Sequence, residues 1–343
     1  MTFDDPAEDS RTPRRPADPP WLAWIARQGE MGARVAAHDW ASTSLGPITD
    51  WPRATRDAVM VTLGSLFPMN VRLGPERLAV YNDACREVFG PDRFARALGH
   101  PTVAFWPETA RRIGALLDTV ERTGQPFYAT DQVVHLNRSV PGQESYFTFC
   151  YSPVIGDDAR PLGVLTTFVE STDKVLADRR LRTLERLGRE LPDTATETEI
   201  ADLAMRVLAD NAADHPAGVL CRIPGDDRPP HVLASFGDPP DCTAAADLLR
   251  ACVTEGGPQH GTEGPNDGVH AFGVIDPEQA APTHVLLVRH HPARPWDADL
   301  EGYLALVAAA LGSAMLTQAE LWAERRRVAR AVALDAAKSE FFS

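Results

Sequence analysis

Apolar residues recur along this chain with two periods, and the switches between them mark out its elements. Trp21, Trp24, Ile25 and Met31 fall at helical spacing and predict a helix over Trp21–Ala37. After Asp39-Trp40, Leu45-Gly46-Pro47 and Trp51-Pro52, helical spacing returns from Arg53 to Ser65. The period then shortens to two. Asn70–Leu73 and Leu78–Tyr81, divided by Gly74-Pro75-Glu76, predict a hairpin. Asn82-Asp83 is placed to cap a short helix, Ala84–Phe89, ended by Gly90-Pro91. Trp106-Pro107-Glu108 starts a longer helix to Thr123, stopped by Gly124-Gln125-Pro126. Three alternating runs follow: Tyr128–Asn137, Glu144–Ile155 and Gly163–Glu170. Because alternating strands need one face covered, the economical packing is a five-stranded antiparallel sheet with helices over it. Along Glu144–Ile155 the sets Tyr146, Thr148, Cys150, Ser152 and Phe147, Phe149, Tyr151 are both semi-apolar, so both faces of this sheet should be covered.

The second half repeats the scheme. Ser171–Glu190 is a charged amphipathic helix carrying Val175, Leu176, Leu181, Leu184 and Leu187, and Leu191-Pro192 breaks it. Thr196–Ala213 places Ile200, Leu203, Ala204, Val207 and Leu208 on one face. Strands Ala217–Ile223 and Pro230–Phe236, helix Ala244–Glu255, a loop over Gly256–Gly268, and strands Val269–Ile275 and Thr283–His290 come next. From Trp296 to Ser343 the pattern is helical throughout, with Asp297 or Asp299 as cap. There Leu304, Val307, Leu311, Ala314, Leu321, Val328 and Val332 keep an alternating three-four spacing, which outlines a two-stranded coiled-coil seam. Gln318, Arg325 and Asp335 also fall on it, weakening the packing and fixing the register. The fold class read from this pattern is α+β: two antiparallel-sheet domains joined by, and ending in, long amphipathic helices.

Composition narrows the classes. A length of 343 residues with 44% hydrophobic and 24% charged side chains suits two globular domains. The net charge of -14 argues against non-specific binding to nucleic acid or anionic lipid. Five cysteines, Cys85, Cys150, Cys221, Cys242 and Cys252, are odd in number and form no CxxC pair, which fits a reducing cytoplasm better than a disulfide framework or zinc site. No apolar run approaches the roughly 18 residues needed to span a bilayer. Met1–Pro20 lacks a signal-peptide core and reads as a disordered leader, so a soluble, cytoplasmic protein is expected.

Candidate chemistry is sparse. No nucleophile elbow, phosphate loop, HExxH or dinucleotide fingerprint is present, so the chain reads as one that senses or transmits. His100, His135, His215, His231, His260, His270, His284, His290 and His291 are dispersed, without metal-ligand spacing; His135 lies on a strand that could face a cavity. Gly256–Gly268 has the composition of a mobile loop, and Arg325-Arg326-Arg327 that of a solvated helix face.

Asp39-Trp40, Leu45-Gly46-Pro47, Trp51-Pro52, Phe67-Pro68-Met69, Gly74-Pro75-Glu76, Tyr81-Asn82-Asp83, Leu98-Gly99-His100-Pro101 and Tyr146–Pro153 together resemble a PAS domain of the variety in actinobacterial-type soluble sensor kinases, over residues 39–170. The element order from Leu184 to Leu316, with strand His284–Val288 feeding a helix through Arg294-Pro295-Trp296, resembles a GAF domain. Ala336-Ala337-Lys338-Ser339-Glu340-Phe341-Phe342-Ser343 resembles the opening of the phosphotransfer helix of sensor histidine kinases, cut just before the phosphoacceptor His box. These resemblances imply a leader (1–20), an N-terminal helix (21–38), a PAS domain (39–170), a connecting helix (171–190), a GAF domain (191–316) and an output coiled coil (317–343). They imply the input region of a two-component kinase, whose partners are a second copy of the chain, downstream kinase domains and a response regulator, with no nucleic acid and no membrane. Rival readings have the same module regulating a serine/threonine phosphatase or a cyclase, or acting as a free-standing binding unit.

Cofactors are not expected. A light-sensing flavin needs a reactive Cys within an Asn- and Arg-containing helical motif, which Asn82–Arg86 around Cys85 lacks; a bilin needs a Cys with a neighbouring His, which neither Cys242 nor Cys252 has; a heme needs an axial His in a pocket. If a PAS cavity takes a small molecule, its lining is expected at Tyr81, Phe105, Trp106, Tyr128, Tyr146 and Phe149. The alternative is a filled structural core. The GAF resemblance admits a cyclic nucleotide, for which no residue cluster speaks.

Overall fold

The computed structural model describes residues 19–106, 110–136, 140–191, 196–224, 228–261, 264–274 and 282–341. It divides into two compact units, residues 1–135 with 145–171, and 136–144 with 172–343.

In the first unit, helices α1 (Pro20–Ile25), α2 (Gly29–Ala37) and α3 (Arg53–Gly64) precede strands β1 (Met69–Leu73) and β2 (Leu78–Tyr81). Short helices α4 (Arg86–Phe89), α5 (Pro91–Arg96) and α6 (Thr102–Phe105) lead to α7 (Ala110–Thr123) and strands β3 (Phe127–Leu136), β4 (Gln143–Ile155) and β5 (Pro161–Glu170). The five strands form one sheet in the order β2-β1-β5-β4-β3. Its register aligns Tyr81 with Asn70, Asn70 with Thr166, and Thr166 with Tyr151, so these four share a face. Tyr81 and Phe168 on that face meet Phe89 of α4, which in turn meets Trp106. On the opposite face Val71 and Val80 are fully buried, and α3 packs across β1, β2 and β5. Both faces are covered, as the two semi-apolar sets along β4 require.

Two local readings change. The helix expected over Trp21–Ala37 is two helices, interrupted at Gly29, whose φ of +69° is readily adopted only by glycine. The cause is tertiary. The Asp83 carboxylate accepts the backbone N–H groups of Glu30 and Met31, each at 2.8 Å, and so caps α2 from outside its own segment. Asn82-Asp83 consequently does not cap the helix that follows it. The Asn82 side chain instead accepts from the Met69 amide at 3.2 Å and donates to the Ser65 and Phe67 carbonyls.

The second unit contains α8 (Thr172–Glu190), α9 (Glu197–Ala209), β6 (Ala217–Arg222), β7 (His231–Phe236), α10 (Ala246–Thr254), β8 (Gln259–His260), β9 (Val269–Val274), β10 (His284–Arg289) and α11 (Ala298–Phe341). Its sheet runs β7-β6-β10-β9-β8, so in each unit the strands lie in the order second, first, fifth, fourth, third. Alternation divides the strands between two cores. Leu220, Phe272, Leu286 and Val288 join residues of α8, α9 and α11, whereas Val219, Cys221, Ala271, Val285 and Leu287 join Leu249 and Cys252 of α10. A capping box between Thr196 and Glu199 starts α9, and Asp297 Oδ1 accepts the Leu300 amide at 2.7 Å at the start of α11. The segment read as a loop over Gly256–Gly268 contains the edge strand β8, too short to show a period.

The first turns of α11 belong to this core: Leu300, Leu304, Val307 and Leu311 are fully buried. Where the sequence predicts no apolar run of membrane-spanning length, α11 holds an 18-residue window that is apolar enough, by length and composition alone, to cross a bilayer, and 44% of that window is buried.

Candidate functional site

The residues expected to line a cavity in the first unit separate. Tyr81 is fully buried, its hydroxyl donating to the Phe94 carbonyl at 2.6 Å, with edge contacts to Phe89 and Phe94; burial pushes the phenol up to about 12. Trp106 packs on Phe89 at 4.6 Å and so joins the same cluster. Phe149 faces this side of the sheet beside Tyr151 and Phe127, whereas Tyr146, an odd number of residues away along β4, points to the other face. Tyr128 is 64% exposed on the edge strand, and His135 is exposed as well. Phe105 turns towards His100 and lines a cleft of about 550 Å³ with Arg34, His38, Arg96, Leu98 and His100.

What the helix-side face holds at its centre is polar. Arg72, 5% exposed, donates from Nε to Thr102 Oγ1 at 3.1 Å and from Nη1 to Thr166 Oγ1 at 2.6 Å, and its guanidinium lies 5.6 Å from the Tyr151 ring centre. Thr102 and Thr166 are themselves buried. Among the described residues no carboxylate pairs with Arg72. Burial lowers its pKa, and the nearby Tyr151 and Cys85 work against that shift, yet an arginine stays protonated throughout the working range. Tyr151 responds in turn: burial raises its phenol, and Arg72 opposes the rise. On the same face, two residues along β1, Asn70 Oδ1 is buried with no hydrogen-bond partner. Arg72 is thus a buried cation without a carboxylate partner, and Asn70 Oδ1, two residues along the strand, is a buried acceptor left unused.

A family model described as the PAS fold matches residues 76–176. Strands β2 to β5 of the first unit are thus similar to the PAS fold. Among solved structures, the PAS domain of BvgS from Bordetella pertussis is 24% identical, with 36% of this chain and 90% of that one covered and a TM-score of 0.27. A sensory box sensor histidine kinase from Vibrio cholerae is 16% identical over 32% and 82%, with a TM-score of 0.24. The GAF domain of a phosphoenolpyruvate-protein phosphotransferase from Acinetobacter is 14% identical over 39% and 91%, with a TM-score of 0.33. Comparison with curated proteins gives no match. The PAS model thus spans β2 to the start of α8, and the Arg72 site straddles its first residues: Thr102, Tyr151 and Thr166 lie inside the matched stretch and Asn70 and Arg72 just before it.

Sequence reading missed Arg72 because it appears as a polar residue in a short alternating strand, where a charge ordinarily marks the solvent side. The usable signal was the absence of such a side: every residue of β1 is buried.

In the second unit the buried arginines meet carboxylates. Asp214, fully buried, accepts from Arg179 Nη2 at 2.6 Å and lies 3.5 Å from Arg180 and 3.4 Å from Arg294. Glu144, within the same unit, pairs with Arg179 at 3.2 Å. Burial would raise the Asp214 carboxyl, but the charges of Arg179 and Arg180 and hydrogen bonds from Arg179 and Asn211 outweigh it and hold it below the usual range. Three of the histidines treated as dispersed also come together. His270 meets His260 through Nδ1 and His290 through Nε2, each at 2.9 Å, and stacks on Trp296 at 3.5 Å. Pairing β8 with β9 aligns His260 with His270, a contact invisible while β8 was read as loop. Because His270 spends its two nitrogens on different neighbours, the rings do not converge on one point, and among the described residues no cluster of His, Cys, Asp and Glu is arranged to hold a metal.

Proposed function

We propose that this chain is the sensory input region of a two-component histidine kinase, in which the PAS domain binds a small anion at Arg72. The observation that carries the ligand class is the buried, carboxylate-free Arg72 guanidinium with the unpartnered Asn70 Oδ1 on the same face. A carboxylate accepts in parallel from a guanidinium, and a neighbouring hydroxyl or protonated oxygen of the same ligand donates to Asn70. Binding exchanges an uncompensated charge for a paired one and is therefore coupled to the stability of the helix-side face. α8 follows β5 directly in the chain, so a change in strand packing reaches a helix without an intervening loop. The GAF-like second domain and α11 then act on autophosphorylation and transfer to a response regulator, as a homodimer; what supports the kinase assignment is the PAS match and the resemblance of Ala336–Ser343 to a phosphotransfer helix.

Thermal melts of the purified chain with acetate, succinate, citrate or inorganic phosphate, at constant ionic strength, test the ligand class. At least one of these should raise Tm by several degrees, since saturation to 100 times Kd adds about 2.7 kcal/mol. Arg72→Met should abolish that rise. An equal rise in the variant would place the anion elsewhere, and no rise with any of them would end the anion reading. Acid-labile, alkali-stable phosphate on the full gene product after incubation with ATP tests the kinase assignment separately.

A further inference from the structure

Three of the five cysteines lie in the second unit, and two of them touch. Cys221 is buried on β6, on the face packed by α10; Cys242 is half-buried in the segment that leads into α10. Their Sγ atoms are 2.7 Å apart, although 21 residues separate them in the chain. No other atom can stand between sulfurs at that distance, which is already close to that of an S–S bond. The pair is also unequally exposed. The two thiols share one hydrogen bond in which either can donate, so a thiolate on one is held by the thiol of the other, and Cys242 is the more exposed of the two. With the thiolate on Cys242, one sulfur is a partly exposed nucleophile and the other a buried proton donor.

We propose that Cys221 and Cys242 are an oxidation site, at which a hydroperoxide converts the two thiols into a disulfide that ties β6 to the segment entering α10. The Cys242 thiolate attacks the peroxide: an S–O bond forms, the O–O bond breaks, and the departing hydroxide takes the Cys221 proton to leave as water. The Cys221 thiolate then attacks Sγ of the Cys242 sulfenic acid, forming the S–S bond and expelling hydroxide, which solvent protonates. Two electrons pass from the sulfurs to the peroxide. The remaining thiols lack this arrangement. Burial pushes Cys85 up to about 12 and Cys252 up to about 11, and half-buried Cys150 has Ser152 Oγ at 3.5 Å. This second input is independent of the Arg72 site and stands or falls apart from it.

The test uses the whole reduced chain, exposed briefly to a small excess of hydrogen peroxide, alkylated with iodoacetamide in denaturant and mapped by peptide mass spectrometry. The expected result is a linked peptide pair containing Cys221 and Cys242, with alkylable thiols falling from five to three. Before oxidation, Cys242 should alkylate at least about tenfold faster than Cys85 or Cys252 in the folded protein. Cys221→Ser should stop at a sulfenic acid on Cys242, trapped by dimedone, and Cys150→Ser should cross-link like the parent. Persistence of five alkylable thiols in the parent chain, or a cross-link that uses Cys85, Cys150 or Cys252 in place of this pair, would overturn the proposal. Because those two readouts use the unaltered protein, a variant that fails to fold leaves the decision intact.

Discussion

A buried arginine is stabilised by whatever faces it, and the two units handle this differently. Arg294, 4% exposed, lies 3.4 Å from Asp214, whereas Arg72, 5% exposed, hydrogen-bonds two threonine hydroxyls and lies over the Tyr151 ring, with no carboxylate partner. Removing the counter-charge in the first case strands several cations, so Asp214→Ala should cost about 3–5 kcal/mol in urea unfolding. Removing the cation in the second relieves an uncompensated charge, so Arg72→Met without ligand should be neutral or mildly stabilising. Two buried histidines contribute to the acid limit. Burial holds His215, which contacts the Tyr303 hydroxyl at 3.1 Å, at about 4, and holds His270, next to His290 and His260, at about 3. Both folded values lie below the unfolded value of 6.5, so below that pH the unfolded chain binds more protons. Their contribution is complete above pH 6.5 and is lost as pH falls towards 3 to 4, by up to about 1.4 kcal/mol per pH unit for each. Urea midpoints between neutral and mildly acidic pH should fall accordingly, and His270→Phe should flatten the slope.

At the scale of elements, the break between α1 and α2 shows a distant side chain overriding a local period. Asp83→Ala should cost about 1 kcal/mol, the usual worth of an N-terminal cap. Gly29→Ala should cost at least as much, because a Cβ there would stand 2.0 Å from Asp83 Oδ2 and the φ of +69° is unfavourable for any other residue. Both substitutions act on one contact, so the double variant should lose less than the sum; strict additivity in a thermal melt would contradict the shared-contact account. Helix α11 is divided along its length in a way its spacing conceals. Leu304, Val307 and Leu311 keep the coiled-coil period yet are fully buried in their own domain, while Leu321 is half-buried and Val328 is 53% exposed. The side chain of Val332 lies outside the described residues.

For the whole molecule, pairing through α11 is a proposal with a positional consequence. Cysteines introduced at Leu321 and Val328 should cross-link between copies, while those at Leu304, Val307 and Leu311 should not, since those positions are occupied by intramolecular packing. Cross-linking at Leu304 would mean that the pairing displaces the core, and a strictly monomeric chain at all concentrations would remove the dimeric signalling model. In the proposed pairing, Glu320, Glu324, Arg326, Arg327 and Arg330 of the exposed portion are charges suited to the flanks of a seam.

Two antiparallel sheets and the longer helices were legible in the chain, because period-two and helical runs respond to burial on one side and need no knowledge of the partner, whereas the short helices α5 and α6, strand β8 and the break between α1 and α2 were not. Turn chemistry at Gly74-Pro75 and Gly124-Gln125-Pro126 punctuated them correctly. Contacts between remote segments were not legible: Asp83 reaching α2, His260 joining His270 through a two-residue strand, Cys242 meeting Cys221, and Arg72 enclosed without a carboxylate. Each depends on which face of a strand is covered and by what. A periodic pattern states that a side is buried, and only the folded chain decides which charges, thiols and imidazoles are buried together.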